Sequence, residues 1–178
     1  MNQKISTAML TKLAMMTAIS IVLLLVVRIP FPPAPFLVFD PADMPIYITS
    51  FAYGPVAGIV VTLVVSLIQA FALGGDGIYG FLMHFVATGM VALVIGLMYQ
   101  REKTKKVAIK SLAVGVIVTL VVMTGMNLLV TPIYMGVERS AVVAMLPTVI
   151  LPFNLIKAGI NSLLTFVLYK RISGFLHR

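Results

Sequence analysis

The chain has 178 residues, of which 61% are hydrophobic and only 10% are charged, and its mean hydropathy is +1.11. Apolar runs of about 20 residues recur along it, which is the length that an α-helix needs to cross a bilayer. A soluble domain of this size has no use for so much apolar surface, so the composition excludes that class. We predict a single integral membrane domain over residues 1–178. The chain has no cysteine, which excludes disulfides, thiol chemistry and cysteine-ligated metals.

The net charge of +8 is explained by membrane topology and does not indicate a nucleic-acid partner. Lys and Arg cluster in every second connecting segment, which is the positive-inside pattern. Ten of the thirteen cations lie at the chain ends or around REKTKK: Lys4, Lys12, Arg101, Lys103, Lys105, Lys106, Lys110, Lys170, Arg171 and Arg178. The alternate loops hold Asp40, Asp43, Asp76 and Glu138. We therefore expect both termini in the cytoplasm, with lipid headgroups as counter-ions.

Hydropathy predicts an all-α membrane protein with six transmembrane helices. They take residues 10–27, 41–53, 56–73, 78–99, 107–130 and 146–172. The first could be mistaken for a signal peptide, but no small-x-small cleavage site follows it, so we predict a retained helix. The second rises only roughly 20 Å, too little to span the bilayer alone. It must be tilted and buried, or continue irregularly into the third.

The external loop, residues 28–40, is rich in proline. Prolines at positions 30, 32, 33 and 35 fix the torsion φ and disfavour helix, so we expect a stiff, extended segment. Asp40 stands where the second helix needs its N-cap, Pro41 takes the first helical position and Asp43 lies in the first turn. The two carboxylates have no third carboxylate and no histidine near them in sequence, so we do not expect a metal site there.

The apolar side chains of this loop leave two roles open. Phe31, Phe36, Leu37 and Phe39 can all face the outer mouth of the helical bundle. A stiff apolar loop in that place either packs on the helices or covers a flat, apolar ligand. The residues alone favour neither role.

The last predicted helix carries polar residues deep in the membrane. Lys157 lies roughly 15 Å along it, near mid-bilayer, where a lysine costs at least about 3 kcal/mol. Asn154, Lys157, Asn161 and Thr165 are spaced 3, 4 and 4 and share one face. The sequence suggests no acidic partner for Lys157 inside another helix, so we expect its donors to meet a ligand's carbonyls or backbone carbonyls. Interhelical hydrogen bonding explains Asn161 and Thr165, whereas ligand binding is favoured for Asn154 and Lys157.

Further candidate residues carry weaker signals. Asn127, His84 and Gln69 lie on the fifth, fourth and third helices at depths where they can meet the same ligand. A lone histidine near a helix end, however, more often serves packing. In the first helix Ala14 and Ala18 continue a row of small residues, which allows another helix to approach closely in lipid. That helix belongs either to this chain or to another subunit.

Several catalytic motifs are missing from the sequence. It contains no G-x-x-x-x-G-K-[ST] phosphate loop, no H-E-x-x-H and no G-x-S-x-G. We therefore expect that the chain does not hydrolyse ATP itself and is not an enzyme. We expect no catalytic residues, no metal and no cofactor.

Three segments resemble a known family. FDPADMP (39–45), FAYGPVAGI (51–59) and LPFNLIKAGINSLL (151–164) are similar to the substrate-binding S components of energy-coupling-factor (ECF) vitamin transporters. The resemblance extends over about residues 8–173, includes Ala14 and Ala18, and is strongest for the riboflavin-specific branch. The aspartate–proline start of the second helix and the Asn-x-x-Lys of the sixth are fairly specific to that branch only when they occur together.

The resemblance implies a six-helix S component in the plasma membrane of a prokaryote, which captures riboflavin from outside. The first loop would cover the vitamin, and Asn127, Asn154 and Lys157 would hold its ring and ribityl chain. The Ala14 and Ala18 face would dock on the transmembrane coupling protein, whose complex with two ATPases supplies energy. One departure concerns the third helix: relatives often carry a lysine late in it, whereas this chain has Val65, Ser66 and Gln69.

The chemistry of the candidate residues agrees with riboflavin. Its flat, mostly apolar ring suits Phe36, Leu37 and Phe39, and its carbonyls accept hydrogen bonds from Asn and Lys. The phosphate of FMN would need a fork of cations or a helix N-terminus, so we rank FMN below riboflavin as a candidate ligand. FMN stays an alternative because Arg139 offers one such cation.

Rival hypotheses about function stay open at the level of sequence. One is an S component for a different vitamin, and another is a proton-coupled secondary transporter that uses Lys157, His84 or Asp43 as its titratable group. A purely structural membrane subunit is a third hypothesis, but it would leave Lys157 unexplained.

Overall fold

The computed structural model of the protein describes residues 6–74 and 76–176. Lys4 and Arg178, two cations of the predicted charge pattern, lie outside the described residues, as does the side chain of Lys170. The elements are α1 (Thr7–Val26), β1 (Ile29–Phe31), β2 (Ala34–Phe39), α2 (Asp43–Tyr53), α3 (Pro55–Leu67), α4 (Gly77–Arg101), α5 (Lys105–Met135), α6 (Arg139–Met145) and α7 (Leu151–Leu176). A π-helical turn, Ile68–Ala72, extends α3, and another, Leu146–Ile150, joins α6 to α7.

With the π turns included, the described chain forms six helices. Five are long and apolar enough to cross a membrane: Thr7–Val26, Pro55–Ala72, Gly77–Arg101, Lys105–Met135 and Arg139–Tyr169. The sixth is the short α2, which is buried from Asp43 to Ala52 and contacts α1, α3, α4 and α7. The helix α2 has apolar side chains, such as Phe51 and Ile46, on all of its sides. This explains its central position, because each side can pack against a membrane-spanning helix.

The proline-rich segment folds as an antiparallel β-hairpin, β1–β2, at the end of α1. Pro30 pairs with Val38, and Pro32 and Pro33 form the turn. A two-stranded ribbon leaves each strand with one unpaired edge, where proline's missing N–H does no harm. The hairpin rests on the last helix, since the rings of Phe31 and Phe153 lie 5.5 Å apart. We call this end of the bundle the hairpin end.

The predicted start of the second helix is wrong. The helix begins at Asp43 and not at Pro41, and the residue before it, Ala42, provides no side-chain cap. The carboxylate oxygen Oδ1 of Asp40 instead accepts a hydrogen bond from the backbone nitrogen of Ala42 at 3.2 Å. Asp40 therefore stabilises the turn that precedes the helix, while its second carboxylate oxygen accepts a hydrogen bond from α7.

At the end opposite the hairpin, aromatic rings join three helices. The ring centroids of Phe51 (α2) and Tyr99 (α4) lie 4.5 Å apart, and Tyr169 (α7) lies 5.2 and 5.6 Å from them. Such tilted and edge-on pairs are favourable beyond the area that they bury. This cluster holds α2, α4 and α7 together on the far side of the bundle.

The joint between α2 and α3 is packed closely against α4. Gly54, with φ of +92°, lies in the region that favours glycine, and Pro55 begins α3. A Cβ atom at Gly96 of α4 would lie only 2.8 Å from both Cα and N of Pro55. Gly96 is therefore required for the close approach of α4 to this joint.

Replacing Gly96 by Ala is expected to destabilise the protein by about 1–3 kcal/mol, because the backbone of Pro55 must move to make room. Far-UV circular dichroism of detergent-purified protein should show a lower thermal midpoint; the chain has no tryptophan to report by fluorescence. The matched control is Gly89→Ala, in the same helix, where an added Cβ meets no described heavy atom within 4 Å. Alanine favours helix there, so the control should hold or raise the midpoint. Equal midpoints in both variants would contradict the close contact.

Candidate functional site

A cavity of about 420 Å³ lies inside the bundle at the hairpin end. Its volume falls in the range of sites for small molecules, about 300–1,000 Å³. The hairpin, α2, the π turn after α3, α4, α5 and α7 contribute to the wall. Its polar and charged members are Arg28, Asp40, Asp43, Tyr47, Gln69, Asp76, His84, Thr88, Thr119, Tyr134, Asn154 and Lys157.

The cavity wall contains an ion pair between Lys157 and Asp40. Nζ of Lys157 donates to Oδ2 of Asp40 at 2.8 Å, and the two side chains are only 22% and 6% exposed. The expectation that Lys157 has no acidic partner is therefore wrong. Asp40 lies in the loop just before α2, 117 residues away in sequence, and the hairpin returns it to the bundle beside α7. Only the tertiary fold brings the two charges together.

Asn161 forms hydrogen bonds to the backbone of both members of this pair. Its amide nitrogen Nδ2 donates to the backbone oxygen of Asp40 and to that of Lys157, each at 3.1 Å. Asn161 is fully buried, one turn of helix beyond Lys157. It therefore joins the loop before α2 to α7. The prediction of interhelical hydrogen bonds for Asn161 and Thr165 is wrong in detail, because Asn161 bonds to a loop and to its own helix and Thr165 donates to the backbone oxygen of Asn161 within α7 at 2.7 Å.

A second carboxylate, Asp43, is held by α4. Thr88 donates its hydroxyl to Oδ1 of Asp43 at 2.9 Å, and Nε2 of His84 lies 3.1 Å from the same oxygen. Because a carboxylate oxygen only accepts, Nε2 is the donor in this contact. Within residues 6–74 and 76–176, no group of three His, Cys, Asp or Glu side chains could hold a metal ion. Asp43 and His84 thus form a hydrogen-bonded pair that orients the histidine in the wall.

The structure brings six of the eight predicted ligand-binding residues to this cavity. They are Phe36 and Leu37 from the hairpin, Gln69 from the π turn, His84 from α4, and Asn154 and Lys157 from α7. The sequence places these residues at suitable depths, and the fold turns them to a common space. Whether they contact a ligand stays a prediction.

The remaining two predicted residues, Phe39 and Asn127, lie outside the wall of the main cavity. Asn127 lines a neighbouring cavity of about 80 Å³, and its amide is engaged within α5. It donates to the backbone oxygen of Met123 at 2.8 Å and accepts from Thr131 at 2.9 Å. Position along a helix predicts how deep a residue lies in the membrane but not which neighbour its side chain faces. This is why Asn127 was predicted at the main cavity and instead lines the neighbouring one.

Sequence reasoning missed the roles of Asp40 and Asp43. It assigned both to the start of a helix, which is what their local pattern favours. A signal was nevertheless present: acidic residues at the start of a short, otherwise uncharged helix must be buried if that helix is buried. Buried carboxylates need donors, and the mid-membrane Lys157 is the natural candidate.

A hydrogen bond closes the hairpin end on the side of α4 and α5. The hydroxyl of Tyr134, at the end of α5, donates to Oδ1 of Asp76 in the turn before α4 at 2.7 Å. Both residues line the cavity, together with Phe36 of the hairpin. The cavity is thus bounded by apolar hairpin residues at one end and by buried polar groups of α2, α4 and α7 deeper in the bundle.

These features define the class of protein. Five membrane-length helices surround a short buried one, and together they enclose a cavity that mixes apolar and hydrogen-bonding groups. This is the arrangement of a multi-pass membrane protein that binds a small organic molecule.

Comparison with known proteins gives the family. Residues 8–169 match the family described as ECF transporter, substrate-specific component, so the chain belongs to that family. It is 33% identical over 176 residues to the riboflavin transporter RibU of Staphylococcus aureus (strain TCH60), covering 95% of this chain and 92% of the relative. It is 26% identical over 179 residues to the riboflavin transporter FmnP of Bacillus subtilis (strain 168), covering 95% and 94%.

The fold matches a solved structure of the same class. The S component of a bacterial ECF transporter superposes with a TM-score of 0.80 at 31% sequence identity, covering 95% of this chain and 97% of that protein. The predicted six-helix S-component fold is therefore confirmed, as is a multi-pass membrane protein. The family consists of transport components, which agrees with the expectation that the chain is not an enzyme.

The Asp40–Lys157 pair can be tested by a double-mutant cycle. Asp40→Leu and Lys157→Met should each destabilise the protein by about 3–5 kcal/mol, because each leaves one buried charge without its partner. The double variant, which buries neither charge, should be more stable than either single variant. The measurement is the fraction of monodisperse protein that survives graded heating, followed by size-exclusion chromatography.

The control cycle combines Glu138→Leu with Lys110→Met, two exposed residues at opposite ends of the bundle. Distant sites usually add to within about 0.5 kcal/mol, so this pair should show no coupling. Additive effects of the Asp40 and Lys157 variants would show that the two charges do not interact.

Proposed function

We propose that this chain is the riboflavin-binding S component of an ECF vitamin importer. It captures the vitamin from outside the plasma membrane of a prokaryote and delivers it through a coupling protein and ATPases. The observation that carries the proposal is the cavity, which sets hydrogen-bond donors of α7 beside apolar residues of the hairpin. Two riboflavin transporters among the relatives support the same ligand.

The wall of the cavity suits the flavin ring. An ammonium group carries three donors, and the hydrogen bond to Asp40 uses one of those of Lys157. The side chain is 22% exposed, so its remaining donors can meet the ring's carbonyl and nitrogen acceptors. Phe36, Leu37 and Phe153 supply apolar surface for the ring itself. A flat ligand that is apolar over its faces and polar at one edge satisfies both kinds of wall.

The polar groups of α2 and α4 suit the ribityl chain. Asp43, Thr88 and His84 form a connected hydrogen-bonding group on the cavity wall. A ribityl chain offers several hydroxyls, each able to donate and to accept. Carboxylate and imidazole groups can accept from these hydroxyls, so this side of the cavity complements the vitamin's uncharged polyol.

The proposed orientation places the hairpin end outside. At the opposite end, near the start of α1, the connection between α4 and α5 and the end of α7, lie Lys12, Arg101, Lys103, Lys105, Lys106, Lys110 and Arg171. The hairpin end has Arg28 and Arg139. The positive-inside rule then puts both termini in the cytoplasm and opens the cavity to external vitamin.

The first helix supplies the proposed docking surface. Ala14 and Ala18 are exposed on α1, one turn of helix apart. Small residues on an exposed membrane helix allow a partner helix to pack closely. We assign this surface to the transmembrane coupling protein, which links the S component to two ATPase subunits.

Replacing Lys157 by Ala should weaken riboflavin binding by about 1.5–3 kcal/mol, the usual effect of losing a hydrogen bond to a charged group. Binding is measured by the quenching of riboflavin fluorescence as detergent-purified protein is added. Lys110→Ala is the matched control, because this exposed lysine lies on α5 near the opposite end of the bundle. It should bind as the unmodified protein does. Unchanged binding by the Lys157 variant, or none by the unmodified protein, would contradict the proposal.

Changing both Ala14 and Ala18 to Leu should abolish riboflavin uptake and leave binding unchanged, because bulky side chains keep the coupling protein's helix away. Uptake of labelled riboflavin is measured in cells that express the coupling protein and ATPases. The control pair is Ala141→Leu with Ala144→Leu, two alanines on α6, away from the α1 surface. Uptake that continues without the ATPases would instead support a proton-coupled secondary transporter.

A further inference from the structure

The connection between α4 and α5 concentrates positive charge at the end of the bundle opposite the hairpin. Residues 101–110 contain one acid, Glu102, and five cations: Arg101, Lys103, Lys105, Lys106 and Lys110. All six side chains are exposed. The ion pairs within residues 6–74 and 76–176 lie in the cavity wall, so none of these cations is paired with an acid of the described chain. The connection therefore carries a positive charge that the chain itself does not compensate.

Two of these lysines lie one above the other on α5. Lys106 and Lys110 are four residues apart, which places their side chains on one face of the helix with Cβ atoms about 5–6 Å apart. Like charges at this spacing destabilise a helix, and the first turn of α5 has no acidic residue to offset them. Lys105 points elsewhere, because its ammonium lies over the ring of Phe166 in α7, 5.8 Å from the centroid. An anion bound between Lys106 and Lys110 would remove the repulsion between them.

The same face of α5 continues as an apolar surface across the membrane. Ala113, Ile117 and Val121 follow Lys110 at intervals of 3, 4 and 4 residues, and all three are exposed. The 20 residues after Lys110 carry no charge and rise about 30 Å, which is the thickness of the hydrocarbon core of a bilayer. Lys106 and Lys110 therefore stand at the level of the lipid headgroups, and the apolar residues of this face stand at the level of the acyl chains.

The position of this face favours a lipid over a partner subunit or a soluble anion. The helix α5 packs against α4, α6 and α7, whereas α1, which carries the proposed docking surface, packs against α2 and α3. The neighbouring α4 repeats the pattern, because the exposed Leu97 is followed four residues later by Arg101. Two adjacent helices thus present apolar side chains that lead to cations at the same end. This pattern complements a molecule with an apolar body and an anionic head.

We propose that Lys106 and Lys110, together with Arg101 of α4, form a binding site for one anionic phospholipid in the leaflet at this end of the bundle. The phosphate of the headgroup lies between the two ammonium groups, and the acyl chains lie along Ile117 and Val121. The site is more specific than the general preference of cytoplasmic loops for Lys and Arg, because it assigns one class of lipid to one face of α5. It lies at the end opposite the cavity and does not depend on which molecule the cavity binds.

The test measures which lipid the protein retains in detergent that contains equal amounts of phosphatidylglycerol and phosphatidylcholine with identical acyl chains. Native mass spectrometry counts the bound molecules of each lipid, and the unmodified protein should retain the anionic one preferentially. Changing both Lys106 and Lys110 to Gln should lower the ratio of bound phosphatidylglycerol to bound phosphatidylcholine at least about tenfold. The reason is that a lysine beside anionic headgroups contributes about fivefold to binding.

Two matched variants separate this site from surface charge in general. Lys106→Arg with Lys110→Arg keeps both charges and should keep the preference for phosphatidylglycerol. Lys12→Gln removes a lysine of α1 near the same end of the bundle and should leave the ratio unchanged. The double Gln variant should keep its helical far-UV circular dichroism spectrum. If it does not fold, the single variant Lys106→Gln, with an expected loss of about fivefold, provides the measurement.

Four results would overturn the inference. One is a ratio near one for the unmodified protein or a ratio that the two lysines do not affect, and another is an equal fall in the Lys12→Gln variant. A third is displacement of the bound phosphatidylglycerol by inorganic phosphate, which would assign the lysines to a free anion. The fourth is loss of riboflavin uptake in the double Gln variant at an unchanged lipid ratio, which would assign them to a contact with a partner protein.

Discussion

The ion pair between Lys157 and Asp40 is the interaction on which the rest of the structure depends. A lysine near mid-membrane is tolerated only when its charge is compensated and its donors are used. The carboxylate of Asp40 meets that need at 2.8 Å, and Asn161 binds the backbone oxygens of both residues. To bring Asp40 to α7, the chain must turn back immediately after α1, and the proline-rich hairpin makes that turn. The ion pair therefore determines where the hairpin lies and where α2 begins.

A short central helix follows from the same constraint. Because α2 begins beside Lys157, deep in the bundle, there is room for only the residues Asp43–Tyr53 before Gly54 redirects the chain. The longer helices surround α2 and shield its backbone from lipid. Its first turn then presents Asp43 to Thr88 and His84 of α4. A helix that spanned the membrane would have placed this carboxylate at the surface. The shortness of α2 is thus what places a second acidic group in the cavity wall.

The number of helices and their order could be predicted from the sequence, because each membrane-length apolar run must satisfy its own backbone as a helix. The depth of Lys157 and Asn154 followed from the helical rise alone, and the structure brings both to the cavity. The partner of Lys157 was missed, because local rules assign Asp40 to a helix cap at a distance of 117 residues in sequence; the only pointer to it was indirect, through the burial expected of the short α2. Asn127 shows the same limit: its depth was predictable, but its hydrogen bonds within α5 were not.

An internal counter-ion also matters for a subunit that must both bind and release its ligand. Because Asp40 belongs to the chain itself, Lys157 has a partner without any ligand. A cavity that relied on the ligand to neutralise this ammonium would hold an uncompensated buried charge after release, which costs several kcal/mol. With the charge already paired, the ligand contributes hydrogen bonds and apolar contact but is not needed to stabilise the helix. Binding of an uncharged ligand then needs no further neutralisation of charge in the cavity wall.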